Sequence, residues 1–122
     1  MQTAFERIGE HGLRAITREL VERMRSDLMI GFHFARVDAD RLMELEYQHA
    51  AETLGGQVKY EGRALGPAHA PHRIAGGHFD RRRELLRQIL LRHQVSGDVV
   101  ALWLAATDAK REEIVGSRGA CH

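Results

Sequence analysis

Apolar residues recur at helical spacing along most of the chain. Leu13, Ile16, Leu20 and Met24, with Leu28 beyond, fall three or four residues apart, the spacing of one buried helix face. The stretch VDADRLMELEYQHAAETLGG predicts a complete second helix. Asp38 suits its N-cap, Leu42, Leu45, His49 and Thr53 share a stripe along it, and Gly55-Gly56 stops it. A third helix is predicted after Gly76-Gly77, with Phe79, Leu86, Ile89, Leu90 and His93 inward. A fourth starts at SGD, where Ser96 can cap and Asp98 meets the positive helix terminus; it turns Val99, Leu102, Trp103, Ala106 and Ile114 to the core. No stretch alternates over strand length. Four long helices and one short one near His69 predict an all-α domain.

Composition narrows the class of function more than the fold. A chain of 122 residues is one domain, large enough to bury a core without disulfide staples. The single cysteine, Cys121, and the lack of an apolar signal segment predict a reducing, cytoplasmic setting with no membrane span. Eighteen Lys and Arg stand against 17 Asp and Glu, so the electrostatic footprint of a nucleic-acid binder is missing. The densest basic run, DRRRE at 80–84, carries an acid at each end and reads as a solvated helix face. No repeat, low-complexity tract or linker is visible.

Candidate chemistry concentrates in LGPAHAPHRIAGGHF, residues 65–79, which holds His69, His72 and His78. A structural zinc site wants four ligands, usually with paired cysteines, and the lone Cys121 does not supply them. Pro71 lacks an amide proton and biases Ala70 away from helical angles, so a turn bearing His69 ends about there. One well-placed imidazole on such a stub suits haem, which needs a single strong axial ligand. On the pattern alone, a histidine packed in a helical core is the commoner event.

Four strings then carry a resemblance. FERIGEHG near the start, FARVDADRL before the second helix, LGGQVKYEGR after it and AHAPHRIAGGHF together resemble the truncated haemoglobins. The likeness runs from about Phe5 to Val115 and has no gap between Arg41 and Phe79. Glycines at Gly9, Gly55-Gly56 and Gly76-Gly77 fall near that fold's break points, although the first pair is here Gly9-Glu10. The resemblance implies a globin-like, two-over-two helical sandwich around a haem over residues 1–116, with a disordered tail at 117–122. Because GSRGACH is not the C-x-x-C-H attachment pattern, the expected cofactor is non-covalent haem b.

Residue roles follow from the same resemblance. His69 matches the proximal iron ligand and Phe34 the aromatic wedged against the porphyrin. Leu42 falls on the distal helix at the pocket mouth, Ile74 and Phe79 match apolar haem contacts, and Tyr60, His72 and Arg73 fall where propionates are held. His78 opens the next helix and is expected in solvent. Where relatives carry a distal tyrosine that donates to the bound gas, this chain has Val21; Glu46 replaces a glutamine and His49 an aromatic. Tyr47 replaces the lost hydroxyl only if its helix is turned by about 100°.

Three residues apart, Glu46 and His49 share a helix face, so an imidazole partner is expected for a buried carboxylate there. His49 either binds iron as a distal ligand or forms with Glu46 an acid/base pair that moves protons. The leading expectation, which the resemblance implies, is reversible binding, and transport, of dioxygen or another small diatomic ligand. The alternative is a haem enzyme of peroxidase, nitrite-reductase or nitric-oxide dioxygenase type with a reductase as electron donor. A non-haem helical interaction module is the outsider.

Overall fold

The computed structural model describes residues 2–61 and 76–111. His69, His72, Arg73, Ile74, Ile114 and the tail lie outside them, as do the short helix expected near His69 and the predicted domain end. The described elements are helices α1 (Ala4–Ile8), α2 (Glu10–Ser26), a 3-10 turn (Gly31–Phe34), α3 (Ala39–Thr53), α4 (Gly76–Arg92) and α5 (Gly97–Ala109). The four long helices match the hydrophobic periods. Only α1 had no apolar stripe to announce it. It is set instead by a capping box, in which Thr3 Oγ1 accepts from the Glu6 amide and Glu6 Oε1 from the Thr3 amide.

Helix α2 is the centre of the packing. It buries Leu13, Ile16, Leu20 and Met24 as the spacing requires, and packs against both α3 and α4, while α4 packs on α5. Two layers of two helices result, joined by a core that also takes Tyr47, Ala51, Leu54, Leu86, Ile89 and Trp103. Leu28 does not continue the α2 stripe. The helix stops at Ser26 because Asp27, in extended conformation, turns its Oδ1 to the amides of Met29 and Ile30. The period is broken there, Leu28 is fully exposed, and Ile30 is buried in its stead. The chain then folds back so tightly that a Cβ on Gly31 would sit 2.6 Å from the Arg25 carbonyl oxygen, which only glycine avoids.

Other expectations shift by a turn or a rotation. Asp38 caps α3 by accepting from the Arg41 amide at 3.0 Å, and Gly55, at φ +91°, ends it. Helix α4 includes Gly76 and Gly77 instead of starting after them. His93 lies beyond the end of α4 and points outward to Glu19 Oε1, 2.9 Å away. Leu102 is half exposed, because it lies about 100° around α5 from the buried Trp103, and Leu104 is buried instead. Ser96 occupies the N-cap position of α5 without capping it; its hydroxyl accepts from Arg7, which also clasps Asp98 at 2.7 Å.

The run DRRRE is not a solvated face. Successive residues on a helix point about 100° apart, and the three arginines fan out to carboxylates on three different elements. Arg81 reaches Asp27 at the end of α2 (2.8 Å), Arg82 reaches Glu46 of α3 (2.8 Å) and Arg83 reaches Asp108 of α5 (2.6 Å). Asp27 is almost wholly buried; burial pushes its carboxyl up, and Arg81 with the two loop amides more than reverses that, leaving it below the ordinary value. Among the described residues, no helix is long and apolar enough to cross a membrane.

Candidate functional site

Between the layers lies a cavity of about 210 Å3. Leu20 and Met24 of α2, Ile30, Phe34, Phe79 and Trp103 give it apolar walls, and α3 contributes Leu42, Leu45, Glu46, His49 and Thr53. The stripe that sequence spacing assigned to the core of α3 is thus the wall of the cavity. The packed face of that helix, Tyr47 and Ala51, lies about a quarter-turn further round, with the buried Ala50 also lining the cavity. Of the residues expected at a site, Phe34, Leu42, Glu46, His49, Tyr60 and Phe79 meet around this one space.

His49 is its least satisfied member. Its Nε2 is buried with no hydrogen-bond partner among the described residues, and the Tyr60 ring stands edge-on to it at 5.5 Å. Burial pushes the imidazole below its ordinary pKa; Glu46 pulls it back, and Arg82 and Lys110 push it down again. The ring is therefore neutral at pH 7 and carries one donor and one acceptor nitrogen. Burial, with Glu46, pushes the Tyr60 phenol up, so its hydroxyl stays protonated.

Tyr60 reaches the cavity because the chain after α3 is clasped to that helix. Gln48 Oε1 accepts from the Glu61 amide at 2.9 Å while its Nε2 donates to Glu44 and Glu61, and Glu52 Oε2 accepts from the Tyr60 amide at 3.2 Å. All the polar atoms of the buried Gln48 side chain are thereby used.

Two polar pairings differ from those expected. The partner of Glu46 is not His49 but Arg82, whose Nη2 donates to Glu46 Oε1 at 2.8 Å from across the cavity wall. A guanidinium on α4 outcompetes an imidazole on the same helix because it always carries its charge. His78 is not in solvent either: it is half-buried in the cavity wall, where its Nδ1 lies 3.1 Å from Nε2 of His33. In such a contact one ring nitrogen donates and the other accepts.

No protein-family model matches the sequence, and no curated protein does. Solved structures do. Truncated haemoglobin from Tetrahymena pyriformis, in its Fe(III) form, superposes with a TM-score of 0.87 at 23% identity, over 93% of this chain and 98% of that one. The 2/2 haemoglobin of a Synechococcus species, solved in the cyanomet state with covalently attached haem, gives 0.88 at 17% identity, over 94% and 99%. The chain has the truncated-haemoglobin fold.

Several residues expected beside a bound gas take other places in this truncated-haemoglobin fold. Val21 is fully buried but stands beside the cavity; the wall of α2 is Thr17, Leu20 and Met24. The Thr17 hydroxyl is tied to the Leu13 carbonyl at 3.0 Å. Tyr47 turns away from the cavity and packs under the Arg14 guanidinium, 3.8 Å from its ring centre, so it does not replace a distal hydroxyl. The sequence reading missed Arg82, Lys110 and His33 as wall residues. Arg82 was reachable: three residues after Phe79 and four before Leu86, it shares their inward face. Lys110, seven after Trp103, follows by the same spacing, whereas nothing in GFHF distinguishes His33 from a surface residue.

Proposed function

We propose that this chain is a haem-binding globin that takes dioxygen or another small diatomic ligand in the cavity between its layers. The observation that carries the reading is the orphaned, buried Nε2 of His49 in an otherwise largely apolar wall. A buried donor or acceptor without a partner costs about 1–3 kcal/mol, and a group bound within the cavity would relieve that cost. Haem would supply an iron with an open coordination position. His69 would hold that iron, Phe34, Leu42, Ile74 and Phe79 would pack on the porphyrin, and Tyr60, His72 and Arg73 would meet its propionates.

An absorption spectrum of the purified protein, oxidised and reduced, tests this directly. A Soret band that is lost or greatly weakened in His69→Ala, and restored in part by added imidazole, is expected. A folded, colourless protein after growth with haem precursor would overturn it. Non-covalent attachment is proposed from the missing C-x-x-C-H pattern, although the Synechococcus protein carries its haem covalently. Haem that passes completely into acidified butanone would support it.

Haem-enzyme chemistry is the second reading, and one observation favours it. A neutral, buried His49 can take a proton at Nε2 and return it, while Glu46, tied to Arg82, is not free to do so. Peroxide turnover that falls at least about tenfold in His49→Leu, with an unchanged resting spectrum, is the outcome this reading requires. A low-spin, six-coordinate spectrum that His49→Ala converts to five-coordinate would instead make His49 a distal iron ligand.

A further inference from the structure

The arginine run leaves one feature unused. Arg82 is the inward member of the fan, only about a quarter exposed, and forms part of the cavity wall. Glu46 engages it through a single Nη2–H bond, and no other hydrogen bond of Arg82 is formed among the described residues. A guanidinium has five N–H donors in a fixed plane, so most of its donating capacity is unspent. The same wall holds His49, whose buried Nε2 has no hydrogen-bond partner among the described residues.

We propose that Arg82 and His49 form a recognition site for a small monovalent anion inside the cavity. Glu46 serves to position the guanidinium. The inference rests on the haem reading, since the anion would reach the iron from the side on which His49 and Arg82 stand. Two physical points support it. A guanidinium already anchored by one carboxylate bond loses little side-chain freedom when it donates to a second anion. The poorly solvated wall strengthens each charge-assisted bond relative to water.

Equilibrium titration of the ferric protein with nitrite, followed by absorption, tests the site. Removing a hydrogen bond to a charged group should weaken nitrite by roughly ten- to a hundredfold in Arg82→Leu. Carbon monoxide binding to the ferrous form, which involves no charge, should move by less than about threefold. Arg82→Lys should recover part of the nitrite affinity, because it keeps the charge but not the planar fork. If Arg82→Leu unfolds because Glu46 is left unpaired, the double variant Glu46→Gln with Arg82→Gln keeps a neutral pair of similar shape, and the same loss is expected. Nitrite bound equally well by wild type and by either variant would overturn the site. Carbon monoxide weakened as much as nitrite would overturn it too, by showing a general collapse of the cavity. A protein that takes up no haem would overturn the haem reading and this inference together; one that takes up haem but fails the nitrite comparison overturns this inference alone.

Discussion

Helix α3 shows two faces built by different rules. One face, Tyr47 and Ala51, with Leu54 following, is packed against the core. The other, Leu42, Leu45, Glu46, His49 and Thr53, lines open space and includes a carboxylate, an imidazole and a hydroxyl. On the first face volume decides which residue fits. On the second, His49 keeps a buried nitrogen unpartnered among the described residues, at a cost in stability. A helix can therefore look uniformly amphipathic in sequence while its two inward faces serve the fold and the site separately.

The comparison breaks first on the packed side. Leu54→Ala, at a position 2% exposed, should lower unfolding stability by about 2–5 kcal/mol, read as a fall in the urea midpoint at constant slope. Next in size is Gln48→Leu, which strips the Glu61 amide of its acceptor and releases the clasp that carries Tyr60. A loss of about 1–3 kcal/mol is expected, with faster amide exchange at Tyr60 and Glu61.

The cavity face should announce itself through pH. Burial holds His49 below its ordinary value of 6.5, so below that pH the unfolded chain takes up a proton that the folded ring refuses. Stability should be level above about pH 6.5 and fall beneath it, by at most roughly 1.4 kcal/mol per pH unit, until the depressed folded value is reached. His49→Leu should remove that slope, whereas Ala51→Gly, on the packed face, should leave it intact. The smallest effect is on stability at pH 8. There His49→Leu should change it by less than about 1 kcal/mol or raise it slightly, since the orphaned nitrogen goes. A large loss in that variant would mean that His49 is a core residue after all.

How much could be read from the chain follows the same division. The four long helices, the Asp38 cap and the glycine stop after α3 were legible because period and capping are local properties. The inward direction of the α3 stripe was legible as well, but not that it faces a cavity, because spacing reports which side is apolar and not what lies opposite. Leu28 misled because Asp27 ended the helix through a loop contact that periodicity does not encode. The partner of Glu46 was invisible for a related reason. Arg82 comes from 36 residues away, and its inward turn is hidden among three arginines that look alike in sequence.

That sameness has a consequence for how α4 settles into place. Were the helix to seat one residue out of step, each position would rotate by about 100° and an arginine would still meet two of the three carboxylates. The ends of DRRRE make the slip unfavourable. Sliding one way brings Asp80 to Asp27, and sliding the other brings Glu84 to Asp108, each an encounter of two carboxylates at the places Arg81 and Arg83 now fill. Three identical residues bracketed by two acids thus act as a keyed ratchet, in which the flanking charges fix the register that the arginines alone would leave ambiguous.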